Sequence, residues 1–224
     1  MKDGLLLIDK PAGITSFGVV ARVRRLLSQE AGKRVKIGHT GTLDPFATGL
    51  MILVAGKATK RAAEFSKLDK VYEATFKLGD TSSTGDPEGE IVHDSDLQPP
   101  QEQLEAALGQ FRGEITQTPP IFSAIKIGGV RAYKLARLNK DVEIPARNVT
   151  IYSLELLEYE YPLVKIRVHV SSGTYIRSLV SDIGMVLGTG AYTIELRRTK
   201  IKDTDVAAAK KWEDISSADI VAID

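Results

Sequence analysis

Hydrophobic positions along the chain follow two periods, one of two residues and one of three to four, and the switches between them mark the elements. Residues 5–8 and 50–55 are continuous apolar runs suited to buried strands. Residues 71–78 alternate, with Tyr72, Ala74, Phe76 and Leu78 on one face and Glu73, Thr75 and Lys77 on the other, which predicts a half-buried strand. Residues 163–170 do the same, setting Val164, Ile166, Val168 and Val170 opposite Lys165, Arg167 and His169. Residues 149–158 and 191–199 predict two further strands. Helical spacing joins Val19, Val20, Val23, Leu26 and Leu27 in a helix with Ser16 as N-cap, running to about residue 29. It also joins Ile176, Leu179, Val180 and Ile183 in a helix that follows Ser171-Ser172-Gly173-Thr174. Shorter helices are expected at 59–66, 101–111, 131–138 and 205–211. Residues 80–100, rich in Gly, Ser, Thr and Pro, read as a loop excursion with a short strand near Ile91 and Val92. Gly128-Gly129 predicts a tight hairpin turn in an inserted, mobile arm. Hairpin-like strand pairs and scattered helices, without regular alternation or internal repeats, predict an α+β fold on a largely antiparallel sheet in one domain.

Composition narrows the chemistry. The 224 residues are 43% hydrophobic, enough for a substantial core, and include no cysteine. Disulfides, thiolate metal sites and cysteine nucleophiles are thereby excluded, and a reducing compartment is compatible. No apolar run reaches membrane-spanning length, and the apolar stretch at the start is too short for a signal peptide, so a soluble cytoplasmic protein is expected. The net charge of +1 conceals a segregation. Arg22, Arg24, Arg25, Lys33, Arg34 and Lys36 face only Glu30 within 21–36, and Lys126, Arg131, Lys134, Arg137 and Lys140 face no acid within 124–140. Residues 80–105 hold eight acids and no Lys or Arg. Such clusters are either solvated faces or surfaces for phosphates.

The histidines at 39, 93 and 169 lack metal-site spacing, His169 reading as a surface residue, and neither a P-loop, a dinucleotide fingerprint nor a Gly-x-Ser-x-Gly elbow is present. No metal and no nucleotide cofactor is expected. What remains is Asp44, within residues 38–49 (Gly-His-Thr-Gly-Thr-Leu-Asp-Pro-Phe-Ala-Thr-Gly). Three glycines and a proline demand unusual backbone geometry there, and His39, Thr40, Thr42 and Thr48 add polar groups, so the loop reads as shaped to present a carboxylate. An Asp before Pro also begins ordinary turns. Arg177 falls in the first turn of its helix, where a cation opposes the positive end of the helix dipole; it either reaches solvent or meets an anionic partner.

Several segments together resemble the TruB family of bacterial tRNA pseudouridine synthases. They are residues 7–16 (Leu-Ile-Asp-Lys-Pro-Ala-Gly-Ile-Thr-Ser), the 38–49 loop, Lys70-Val71-Tyr72 with residues 79–86 (Gly-Asp-Thr-Ser-Ser-Thr-Gly-Asp), and residues 172–179 (Ser-Gly-Thr-Tyr-Ile-Arg-Ser-Leu). Residues 119–126 and 196–199 add two more, and the matches spread over almost the whole chain. The resemblance implies a pseudouridine synthase fold, a largely antiparallel mixed sheet flanked by helices and loops with an RNA-gripping insertion at about 123–147. It implies isomerisation of uridine 55 in the TΨC arm of tRNA to pseudouridine, without a cofactor, by flipping the base and rejoining it through C5. Asp44 is then the essential carboxylate, acting as nucleophile on sugar or base or as a base at the sugar. The resemblance places Arg177 beside Asp44, where a guanidinium would favour the ionised carboxylate. It assigns Tyr72 to stacking on the flipped base, Tyr175 and Leu196 to the pocket, and His39 to RNA near the vacated stack. Asp9, Lys10 and Pro11 support the pocket, and Lys126, Arg131, Lys134, Arg137 and Lys140 grip the RNA. Tyr72 is grouped with Asp44 and Arg177 as the catalytic set. Many members carry a small C-terminal RNA-binding domain of the PUA type, for which residues up to 224 leave no room. A monomer acting on the T arm alone is expected, with a non-catalytic T-arm binding or chaperone protein as the alternative.

Overall fold

The computed structural model describes residues 2–123, 125–132 and 144–223, with the side chains of 126, 127 and 131 left aside. The chain divides into two compact units, Met1–Tyr72 with Arg197–Asp224, and Glu73–Leu196.

In the first unit β1 (Gly4–Lys10) runs antiparallel to β3 (Thr48–Ala55), pairing Leu6 with Leu53 and Ile8 with Met51. The other edge of β3 is taken by β2 (Ile37–His39), antiparallel, and at its start by β12 (Ala191–Ile201), parallel at Arg197 and Arg198. Every residue of β3 from Leu50 to Ala55 is buried, which is why it reads as an unbroken apolar run. Leu50 and Ile52 pack with Ile201, Leu5 and Leu7. Helix α1 (Ser16–Ala31) buries Val19, Val20, Val23 and Leu27 as its spacing predicts. Its N-cap is Thr15 rather than Ser16: the Thr15 hydroxyl accepts from Gly18 N at 2.9 Å, and the helix stops at Gly32 in the left-handed conformation. Thr15→Ala should cost about 1 kcal/mol of stability, read from a denaturant midpoint.

The expected helix at 59–66 is a 3₁₀ turn, Gly56–Arg61, leading into α2 (Ala62–Ser66). That at 205–211 shrinks to one 3₁₀ turn at Val206–Ala208, following the two-residue strand β13 (Thr204–Asp205). There the backbone of Lys210 exchanges bonds with Leu7 O (3.1 Å) and Asp9 N (2.9 Å), so pairing with β1 outcompetes continued helix.

In the second unit the sheet strands are β4 (Lys70–Leu78, entering at Glu73), β7 (Gly113–Gln117), β10 (Arg147–Glu160) and β11 (Leu163–Val170). β10 pairs antiparallel with both β11 and β7. Strand β7 has no alternating signal and is absent from the sequence reading. The acidic excursion forms a small hairpin of β5 (Asp80–Ser82) and β6 (Ile91–His93), close to the strand expected at Ile91 and Val92. Helix α3 (Gln101–Gly109) packs with α4 (Ile176–Leu187), whose buried face includes Ile176, Leu179, Val180 and Ile183. A Cβ at Gly184 would lie 2.4 Å from Ala191 N, so α4 and the start of β12 approach as closely as glycine permits.

The Gly128-Gly129 turn joins β8 (Lys126–Ile127) to β9 (Val130–Arg131) with both glycines at positive φ. Of the expected RNA-gripping residues, Lys134, Arg137 and Lys140 lie outside the described residues, as do the side chains of Lys126 and Arg131. All pairings named here are antiparallel except β3 with β12, so the mixed, largely antiparallel α+β expectation holds. Among the described residues no helix is long and apolar enough to cross a membrane.

Candidate active site

The Asp44 loop has no ladder to satisfy its backbone, and buried side chains take that part. The Ser16 hydroxyl, displaced from capping by Thr15, donates to Leu43 O and accepts from Leu43 N, both at 2.8 Å. Lys10, 1% exposed at the end of β1, donates to Pro11 O (2.8 Å), Pro45 O (3.1 Å) and Ala47 O (2.6 Å). Arg198, equally buried on β12, donates to Leu50 O (2.7 Å), Gly41 O (3.3 Å) and Thr42 O (3.5 Å). Thr40 closes the other side, its N and its hydroxyl both donating to Ile52 O at 3.1 Å. Carbonyls on both sides of Asp44 are therefore clamped by two cations held away from water, where such bonds are strong. Asp44 itself is half-buried, and Ala47 N closes a turn onto its carbonyl at 3.2 Å. The Asp-Pro turn and the presented carboxylate are thus one and the same feature.

Gly49 ends this loop at φ 104°, and a Cβ there would lie 2.3 Å from Arg198 O. Gly49→Ala combines left-handed strain with a backbone clash, so we expect a loss of more than about 2 kcal/mol in chemical denaturation.

Lys70 lies beside Arg198; a Cβ on Gly41 would come within 3.6 Å of Arg198 Nη1 and 4.0 Å of Lys70 Cε. Its ammonium donates to Ser66 O (2.8 Å) and Leu68 O. Burial, and then the Arg198 charge, lower its pKa to about 8. The folded state releases this proton before the unfolded state does, so the penalty is full below pH 8 and fades as pH rises towards the unfolded value near 10.5. Lys70→Met should remove that term, on the order of 3 kcal/mol at neutral pH. The stability gap between variant and wild type should therefore narrow between pH 8 and 10, as measured by urea denaturation. His39, Thr40, Gly41 and Thr42 line one wall of a depression of about 290 Å³ that Ala62, Ala63 and Ser66 of α2 complete. Tyr72 is buried on β4 in the same unit, and Asp9, at the end of β1, forms a two-point ion pair with Arg197 at 2.8 and 3.1 Å. Pro11 is exposed, and its carbonyl is one of the Lys10 acceptors.

The second unit holds Arg177, only 3% exposed in the first turn of α4. Its guanidinium donates to Thr84 O (2.6 Å) and Phe122 O (2.9 Å) and pairs with Asp86 Oδ2 at 3.0 Å. Asp86 is buried as well; its other oxygen accepts from the Thr84 hydroxyl (2.6 Å) and Glu88 N (3.0 Å). The helix-dipole penalty on Arg177 thus meets an anion in Asp86, whose part the sequence reading did not assign. Its signal was present in the Gly-Asp-Thr-Ser-Ser-Thr-Gly-Asp segment. Gly85 admits Arg177, whose Cβ would stand 3.4 Å from a Cβ on that glycine.

Tyr175 caps α4 in an extended conformation, its N–H and C=O both held by the buried Gln117 side chain (2.8 and 3.0 Å). The Arg147 guanidinium sits 5.0 Å from its ring centroid and donates to Gly173 O. Gln117 and Arg147 carry no sequence signal for this role. Leu196 is buried on β12. Within their units the structure therefore groups His39 with the Asp44 loop, and Arg177 with Tyr175 at the start of α4.

Two family models match the chain: "TruB family pseudouridylate synthase (N terminal domain)" over residues 24–176, and "tRNA pseudouridylate synthase B C-terminal domain" over residues 177–223. Among curated relatives, tRNA pseudouridine synthase B of Azoarcus sp. (strain BH72) is 46% identical over 96% of this chain and 70% of its own length. The protein of the same name from Endomicrobium trichonymphae is 45% identical over 97% of this chain and 93% of its own. Similar solved structures include a Cbf5-Nop10-Gar1 complex (TM-score 0.70, 31% identity, 94% of this chain and 53% of that chain). Another is an H/ACA RNP bound to a substrate RNA containing 2'-deoxyuridine (TM-score 0.67, 29% identity, 94% and 51%). The chain spans about half the length of those two structural relatives. With a family model covering most of its length and relatives near half identity, the chain belongs to the TruB family of pseudouridylate synthases.

Proposed function

We propose that the chain isomerises uridine 55 in the T arm of tRNA to pseudouridine. The N1–C1' bond breaks, the base turns, C5 bonds to C1', the C5 proton leaves to solvent and N1 regains one. Nothing is oxidised or reduced, and no cofactor takes part. Asp44 supplies the carboxylate that acts on the target nucleotide, and Arg177 is the cation that serves the same reaction. Tyr72 stacks on the flipped base, Tyr175 and Leu196 complete its pocket, and His39 meets RNA near the gap it leaves. One chain provides every group, so a monomer suffices.

The observation that carries this reading is the clamped Asp44 loop. Two buried cations and a buried serine hold backbone on either side of one carboxylate, an arrangement suited to catalytic positioning. A protein that only gripped RNA would have no use for such a loop, which argues against the non-catalytic alternative. The test is tritium release from tRNA labelled at uridine C5. Release should stop when uridine 55 alone is replaced by cytidine and persist on an isolated T-arm stem-loop. Undiminished release from the cytidine-55 tRNA would overturn the target, and no release from any tRNA would overturn the activity.

A further inference from the structure

Away from the Asp44 loop, the first unit has a second concavity of about 390 Å³, lined by Lys33, Arg34, Lys36, Lys57 and Lys60 with Asp3 and Thr59. It lies between the residues following α1, the start of β2 and the 3₁₀ turn after β3. The five cations are exposed, and among the described residues none of them makes an ion pair. Asp3 is already engaged, its Oδ1 accepting from Lys57 N at 2.8 Å. The floor is rigid: Gly56 N donates to Lys36 O at 2.8 Å, and a Cβ on Gly56 would fall 1.7 Å from Asp3 Oδ1. Asp3 is thereby bound into the backbone beneath five positive side chains. Like charges gathered in a concave surface raise the local potential and favour a multiply charged anion.

Resting on the proposed reading, in which His39 meets RNA, we infer that this pocket binds backbone phosphates of the substrate RNA on the strand flanking the target uridine. Lys36 immediately precedes β2, and His39 ends it. Three residues of strand span roughly 10 Å, which corresponds to about three phosphates along one strand of a duplex. The pocket thus lies within reach of nucleotides in the same arm. It reads no base; it adds affinity and fixes register.

The test compares wild type with a Lys33→Ala, Arg34→Ala, Lys36→Ala triple variant, whose altered side chains are exposed and leave the floor intact. Binding of a T-arm stem-loop RNA is measured against salt, together with single-turnover tritium release at saturating RNA. The variant should bind on the order of tenfold more weakly at physiological salt. Its slope of log affinity against log salt should be shallower by about two, while the saturated single-turnover rate stays at the wild-type value. Wild-type affinity and slope in the variant would overturn the inference. So would protection of wild type, but not of the variant, by millimolar pyrophosphate with RNA binding unchanged, which would assign the pocket to a free small anion. Wild-type tritium release is the control: its failure would strike the proposed function rather than the pocket.

Discussion

Replacing Asp44 with Asn should abolish tritium release from uridine-labelled tRNA, by on the order of 10⁴-fold or more, while tRNA affinity changes little. The amide keeps the size of the side chain and one acceptor oxygen but can neither attack carbon nor take up a proton at neutral pH. The clamps do not depend on the Asp44 carboxylate: Ser16, Lys10 and Arg198 hold main-chain carbonyls at 41, 42, 43, 45, 47 and 50. The loop should therefore keep its shape, and circular dichroism and the denaturation midpoint should match wild type. Residual turnover close to wild type would remove Asp44 from the reaction.

Asp86→Ala should carry the second largest effect, and it should appear in stability as well as in rate. It removes the buried carboxylate paired with the Arg177 guanidinium and leaves the carbonyl acceptors in place. Breaking one side of a buried pair costs about 3–5 kcal/mol, or roughly 10 °C in melting temperature for a chain of this size. Asp86→Asn tests charge against shape. Its Oδ1 can still accept from Thr84 and Glu88, but its amide NH₂ would point donor to donor at Arg177. We expect both variants to lose most tritium release at a temperature where circular dichroism shows them folded. If Asp86→Asn keeps wild-type rate and melting temperature, the pair has no part in positioning Arg177.

The two predictions draw on different kinds of legibility. Asp44 stood out in the sequence because its neighbours are residues that pack poorly and turn sharply, and the family resemblance then gave it a role. Asp86 was visible as a letter in a matching segment, yet nothing local tied it to Arg177, because the two are far apart in sequence and meet only once the β5–β6 hairpin folds against α4. Gln117 is the same case with less warning. It ends a strand that does not alternate, and its value lies in gripping the Tyr175 backbone, itself an irregular N-cap. The helix caps show a third kind of miss. Ser16 is the slightly better N-cap on propensity, yet the cap fell to Thr15, and the Ser16 hydroxyl instead serves both backbone groups of Leu43.

The sequence by itself determined what depends on short range: the two-residue alternation of β4 and β11, the apolar stripes of α1 and α4, the unbroken run of β3 and the glycine turn at 128–129. The strands and helices follow from periodicities that local geometry imposes, matched by burial in the folded chain, and the turn follows from the positive φ that two glycines accept. The tertiary structure alone decided which buried polar group answers which other. Lys10, Arg198 and Lys70 sit on strands at alternating positions where an apolar side chain would satisfy the pattern as well. Lys10 and Arg198 are cations because the Asp44 loop, with no ladder of its own, left carbonyls facing the interior, and Lys70 meets the carbonyls of Ser66 and Leu68 at and beyond the end of α2; an interior carbonyl must find a donor. The pairing of Arg177 with Asp86 has the same origin, since a charge placed away from water needs compensating partners, here an opposite charge together with the Thr84 and Phe122 carbonyls.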